Sequence, residues 1–79
     1  MTPRLKSAIY LDGYKIEVSF ADGITGVIDL ESELWGEVFE PLKNLETFRA
    51  FKLDPELKTI VWPTGADLAP EFLYQKAAA

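Results

Sequence analysis

A chain of 79 residues has room for one domain and one modest core, so a single, thinly stabilised unit is expected over residues 1–79. It contains no cysteine and no histidine, which excludes disulfides and thiolate metal sites and removes the usual proton shuttle of neutral pH. Thirteen acidic residues against eight basic ones leave a net charge of -5, the wrong sign for gripping a phosphate backbone.

The basic residues are scattered from Arg4 to Lys76, so the domain alone is not expected to bind nucleic acid. No stretch is long and apolar enough to span a bilayer, and the N-terminus lacks the apolar core of a signal peptide. No membrane association is expected, and a cytoplasmic location follows by default.

Taken in chain order, Leu5, Ser7, Ile9 and Leu11 share one face of a first strand. Tyr14, Ile16, Val18 and Phe20 then alternate with Lys15, Glu17 and Ser19, the pattern of a half-buried second strand. Asp12-Gly13 suits a two-residue type I′ loop, which sets Leu11 opposite Tyr14, Ile9 opposite Ile16 and Leu5 opposite Phe20. The next connection reads differently. A two-residue loop at Asp22-Gly23 would oppose Ile16 to Asp29, whereas a three-residue loop over 21–23 opposes Phe20 to Ile24 and Ile16 to Ile28. A one-residue slip turns every side chain over, so the longer loop is predicted, with Gly23 left-handed. Gly26 then falls opposite Val18 on the buried face, where a missing side chain admits a close neighbour.

Glu31 to Trp35 is a short helical candidate, with Ser32 near its start and Gly36 to end it. Pro41 breaks the apolar run 38–42 into an irregular or 3₁₀ segment. Asn44 can cap a helix from Leu45 to about Ala50 that turns Leu45 and Phe48 to the core. Phe51 to Asp54 and Lys58 to Trp62 are predicted as strands joined through Asp54-Pro55-Glu56-Leu57. A Trp62-to-Gly65 turn follows, and Pro70 fits the first turn of a C-terminal helix bearing Phe72, Leu73 and Tyr74. The order is β-β-β-α-α-β-β-α, an α+β domain with helices against one sheet face.

Candidate sites are few. Asp29, Glu31, Glu33, Glu37 and Glu40 form an acidic run without a basic residue among them. Such a run is ordinarily a solvated rim; the functional alternative is a docking surface for a basic protein partner. Its ligand spacing does not fit a divalent cation, and no metal or cofactor is expected. Trp35 beside Gly36 can stand half exposed and anchor a partner, whereas Phe39 and Trp62 are expected in the core. Asp67 suits the ordinary role of accepting local backbone N–H groups. A pocket joining Asp67 to Trp62 and Tyr74 would instead suit a small-molecule binder or hydrolase. No catalytic residue is assigned, since thirteen carboxylates guarantee chance pairs. The candidate interaction residues are thus Glu33, Trp35, Glu37 and Asp67 as surface contacts, with Trp62 and Tyr74 joining Asp67 in the small-molecule alternative.

The segments FADGITGVIDL (20–30), VFEPLKN (38–44) and TIVWPTGADLAPEFLY (59–74), in that order, resemble a bacterial family catalogued as domain of unknown function 2442. The resemblance spans nearly the whole chain and implies a small α+β fold without an established activity. It also implies a gene often placed beside another small gene, in a toxin–antitoxin-like arrangement. On that basis a non-enzymatic interaction module is expected, an antitoxin-like partner of the adjacent gene's product. Fused relatives carry a DNA-binding helix-turn-helix after this domain, a role not carried over here. Thr64 and Ala69 depart from the more polar residues of relatives, and Ala69 cannot cap the last helix. The residues say nothing of oligomeric state.

Overall fold

The computed structural model describes residues 3–78. Strands β1 (Leu5–Tyr10), β2 (Lys15–Phe20) and β3 (Thr25–Asp29) form an antiparallel sheet in chain order. Two 3₁₀ turns follow, Glu31–Glu33 and Glu40–Lys43, and then a single helical turn α1, Leu45–Phe48. Strands β4 (Lys52–Asp54) and β5 (Thr59–Val61) make a separate hairpin, and α2 (Pro70–Ala78) ends the described chain. This is the α+β architecture the periodicities predict.

The second hairpin has the predicted register. Ile16 faces Ile28 and Val18 faces Gly26, and Phe20 N–H donates to the Ile24 carbonyl at 2.8 Å across the 21–23 loop. Gly23 takes φ +96° there, a value that costs a glycine nothing. The empty position at Gly26 also has the predicted use, because α2 crosses it. A Cβ placed on Gly26 would lie 2.5 Å from the Ala77 carbonyl oxygen.

The first hairpin departs from expectation. Tyr10 pairs with Ile16 and Ala8 with Val18, so the loop spans three residues, Asp12 to Tyr14, and Ile9 is turned outward at 55% exposure. Two aromatic rings explain the choice. Tyr10 and Tyr14 turn inward and meet Phe48 edge-on, at 6.2 and 5.2 Å between centroids, a larger apolar contact than Ile9 and Leu11 could make. The register shifts between Leu5 and Ser7, which restores Leu5 opposite Phe20 as predicted.

Leu5, Ile16, Val18, Phe20, Ile28 and Leu30 form the sheet side of the core. Leu34, Leu42, Phe48, Ile60, Trp62 and Leu73 close over them. Burying each large aliphatic side chain contributes about 1.5–3 kcal/mol against the entropy of ordering the chain. Short aspartate and asparagine side chains fix the turns between these elements. Asn44 Oδ1 accepts from Glu46 and Thr47 N–H at 2.9 and 3.3 Å, the cap expected of α1. Asp54 Oδ1 does the same for Glu56 and Leu57 at 2.8 and 2.9 Å. Asp29, not Ser32, supplies the acceptor at the first 3₁₀ turn, taking Glu31 N–H at 3.0 Å. The capped helix stops at Phe48, and Leu45 is 43% exposed rather than in the core: one turn can aim only one large residue inward.

Candidate functional site

Buried Leu30, Leu34 and Leu42 pin down the acidic segment at three points. Between the last two the chain must reverse, and Gly36 does so at φ +87°. Its carbonyl accepts from both Phe39 and Glu40 N–H, at 3.2 and 2.9 Å. The reversal pushes Trp35 and Val38 outward, leaving the indole 71% exposed. Phe39 turns back only partway and packs on the edge of the core instead of inside it.

Beneath the indole lies a hollow of about 180 Å³, lined by Glu33, Trp35, Phe39, Leu68 and Phe72. Lys76 reaches two of these lining residues, its ammonium 3.5 Å from a Glu33 carboxylate oxygen and 5.4 Å from the centre of the Phe72 ring. Lys43 sits 3.2 Å from Glu40. Glu31 and Glu37 are exposed on the same segment, and Asp29 is exposed at the end of β3. An apolar hollow on an acidic segment can hold an apolar side chain of a partner that carries cations beside it. Among the described residues no acidic group of three or more is gathered tightly enough to hold a metal ion.

Glu33 and Trp35 are therefore brought together, with Glu37 close by in sequence on the same exposed turn. Leu68 and Phe72 complete the hollow without having been singled out from the sequence. The available signal was helical spacing: Phe72 and Lys76 are four apart on α2 and so share a face, the one that meets Glu33.

The other three candidates go to separate places. Trp62 is 3% exposed, its indole N–H donating to the Phe48 carbonyl at 2.8 Å. It stacks near Phe48 and Phe51, at 5.9 and 6.4 Å between centroids, as expected of a core residue. Tyr74 lies against Phe20 at 5.0 Å and donates its hydroxyl to Asp22 Oδ2 at 2.6 Å. That bond holds the Asp22 carboxyl below its ordinary value, helped by Ile24 N–H, and pushes the Tyr74 hydroxyl up. Asp67 is exposed and faces Val61 in an isolated antiparallel bridge. Its backbone closes a tight loop in which Trp62 N–H reaches the Ala66 carbonyl at 2.9 Å, with Gly65 at φ +94°. The Asp67 carboxylate borders a second hollow of about 210 Å³, with Leu57, Thr59, Leu68, Ala69 and Pro70. The Thr59 hydroxyl there is occupied by the Leu68 carbonyl. Capping of local N–H groups falls to Asp22, Asp29 and Asp54 rather than to Asp67.

A family profile described as Protein of unknown function (DUF2442) matches residues 5–79. The chain belongs to that family, as the order of its segments suggested. No curated protein and no solved structure matches it.

Proposed function

We propose that this protein is a non-enzymatic interaction module that seats a basic protein partner on residues 31–40. One observation carries the reading: Trp35, 71% exposed, lines an apolar hollow beside Glu33, within a segment whose Glu31, Glu37 and Glu40 are exposed. Large exposed indoles are uncommon on solvated surfaces and frequent as interface anchors. The gene arrangement implied by the family makes the neighbouring gene's product the first partner to test, with this chain as the antitoxin-like half acting in the cytoplasm. No described helix is long and apolar enough to cross a membrane.

The test is co-purification of the two gene products at low and high salt. Capture is expected at low salt, weakening as salt screens the acidic segment, and Trp35→Ala is expected to abolish it. Recovery of nothing, together with no effect of co-expression on growth, would sink the proposal. The rival reading, a small-molecule binder or hydrolase at Trp62, Asp67 and Tyr74, gains no support from the geometry. Trp62 is buried against Phe48, and Tyr74 is committed to Asp22.

A further inference from the structure

The two edges of the main sheet are not alike. At β1, Leu5 N–H donates to the Lys58 carbonyl of the β4–β5 turn at 3.2 Å, so the second hairpin covers the start of that edge. At β3, the bonds Phe20 N–H to Ile24 C=O and Leu30 N–H to Tyr14 C=O set the phase of the ladder. Gly26 and Ile28, paired with Val18 and Ile16, therefore turn their backbone groups toward β2. Thr25, Val27 and Asp29 turn theirs outward, and among the described residues none of these groups meets another backbone outside the sheet.

Exposed edges are usually guarded by a lysine, a proline or an inward charge. The run Ile24-Thr25-Gly26-Val27-Ile28 has none of these. Val27 stands at its centre, 53% exposed. The helix end above this strand is small too, since the residue over Gly26 is Ala77.

We infer that β3 pairs antiparallel with β3 of a second copy of this chain, about a two-fold axis at Val27. In this register the strand is its own complement, since Val27 meets Val27 and no charged residue meets its like. Each chain carries a net charge of -5, and the uncharged run 24–28 is where two such chains can approach against that repulsion. Pairing about Val27 sets Asp29 opposite Thr25 of the other copy, a carboxylate beside a hydroxyl donor, instead of opposite the other Asp29. Lys15, the ladder partner of Asp29 within each sheet, further offsets that carboxylate. Three narrow pairs then form, each exchanging two backbone bonds. On the wet face the row Ile9, Glu17, Val27 runs on into its copy, so the two valines cover each other. The edge shares no residue with the hollow under Trp35, and the inference stands independently of the proposed partner.

The absence of cysteine makes the test clean. In Val27→Cys the two thiols would sit on facing residues about 5.5 Å apart at Cα, within disulfide reach. Mild oxidation is expected to give a covalent dimer, whereas Ile9→Cys, similarly exposed but two strands away from β3, is expected to give at least about tenfold less. For the native chain, sedimentation equilibrium should show a weak dimer, with Kd on the order of 100 µM, since so small an interface lies below the stable class. That dimer should tighten with salt, as two like-charged chains are screened. Val27→Pro removes an N–H the sheet does not use and should leave a folded monomer; should it fail to fold, Val27→Lys serves the same purpose. A native chain that stays monomeric to about 1 mM would overturn the inference. So would equal crosslinking of the two cysteine variants, a Val27→Lys dimer as strong as the native one, or an edge that pairs only with an added extended peptide.

Discussion

The two tryptophans mark regions built on opposite terms. Around Trp62, the rings of Phe48 and Phe51 and a satisfied indole N–H fill the interior, and among the described residues no buried side-chain polar atom lacks a partner. Around Trp35, the same side chain is held out by a glycine turn, over a hollow that the fold leaves open. A chain this small has little core to spare, so an indole kept outside contributes almost nothing to holding the chain together. The contrast separates what stabilises the domain from what is available for recognition.

The largest effect is expected from Trp62→Ala, which should cost about 3–5 kcal/mol and leave the domain largely unfolded, read from a urea titration by circular dichroism. Gly26→Ala tests how the hollow's far wall is held. With the Ala77 carbonyl oxygen only 2.5 Å from the added carbon, α2 must shift, at a cost of about 1–3 kcal/mol. Phe72 moves with it, so partner capture should fall along with the urea midpoint.

Tyr74→Phe sharpens the comparison through pH. The bond to Asp22 depresses that carboxyl below its ordinary 3.8, so its stabilisation is present above that value and lost as pH falls through the depressed value. The same bond raises the Tyr74 hydroxyl above its ordinary 10.0, so its stabilisation is complete below that value and lost as pH rises through the raised one. Native and Tyr74→Phe chains should therefore differ in urea midpoint across the neutral range and converge at both extremes; a difference independent of pH would refute this. The smallest stability change belongs to Trp35→Ala, expected within about 0.5 kcal/mol. Its loss in partner affinity, by contrast, should be about 30-fold or more, measured by calorimetry. A destabilisation as large as that of Trp62→Ala would erase the distinction between the two regions.

Much of this fold could be read from residue order, because neighbours in the chain supply the reasons. The register of β2 on β3, the Asn44 cap and the turn at Asp54 each depend on side chains a few residues apart. The first hairpin misled because Asp12-Gly13 suits a two-residue loop locally, while Phe48, dozens of residues later, decides that Tyr10 and Tyr14 point inward. The candidate site was half visible for the same reason. Glu33, Trp35 and Glu37 announce themselves within one turn, but Leu68 and Phe72 join them only once α2 has docked. Asp22 as the partner of Tyr74 has no local signal at all, since 52 positions separate them.

Leu73 is fully enclosed, and the helix that carries it is the last described element to be synthesised. A ribosome making this protein therefore releases the β-meander well before its lid exists. Until residue 77 has been added, the part of that nascent sheet around Phe20 and Gly26 lacks the helix that covers it, even with residues 34–62 closed over the rest.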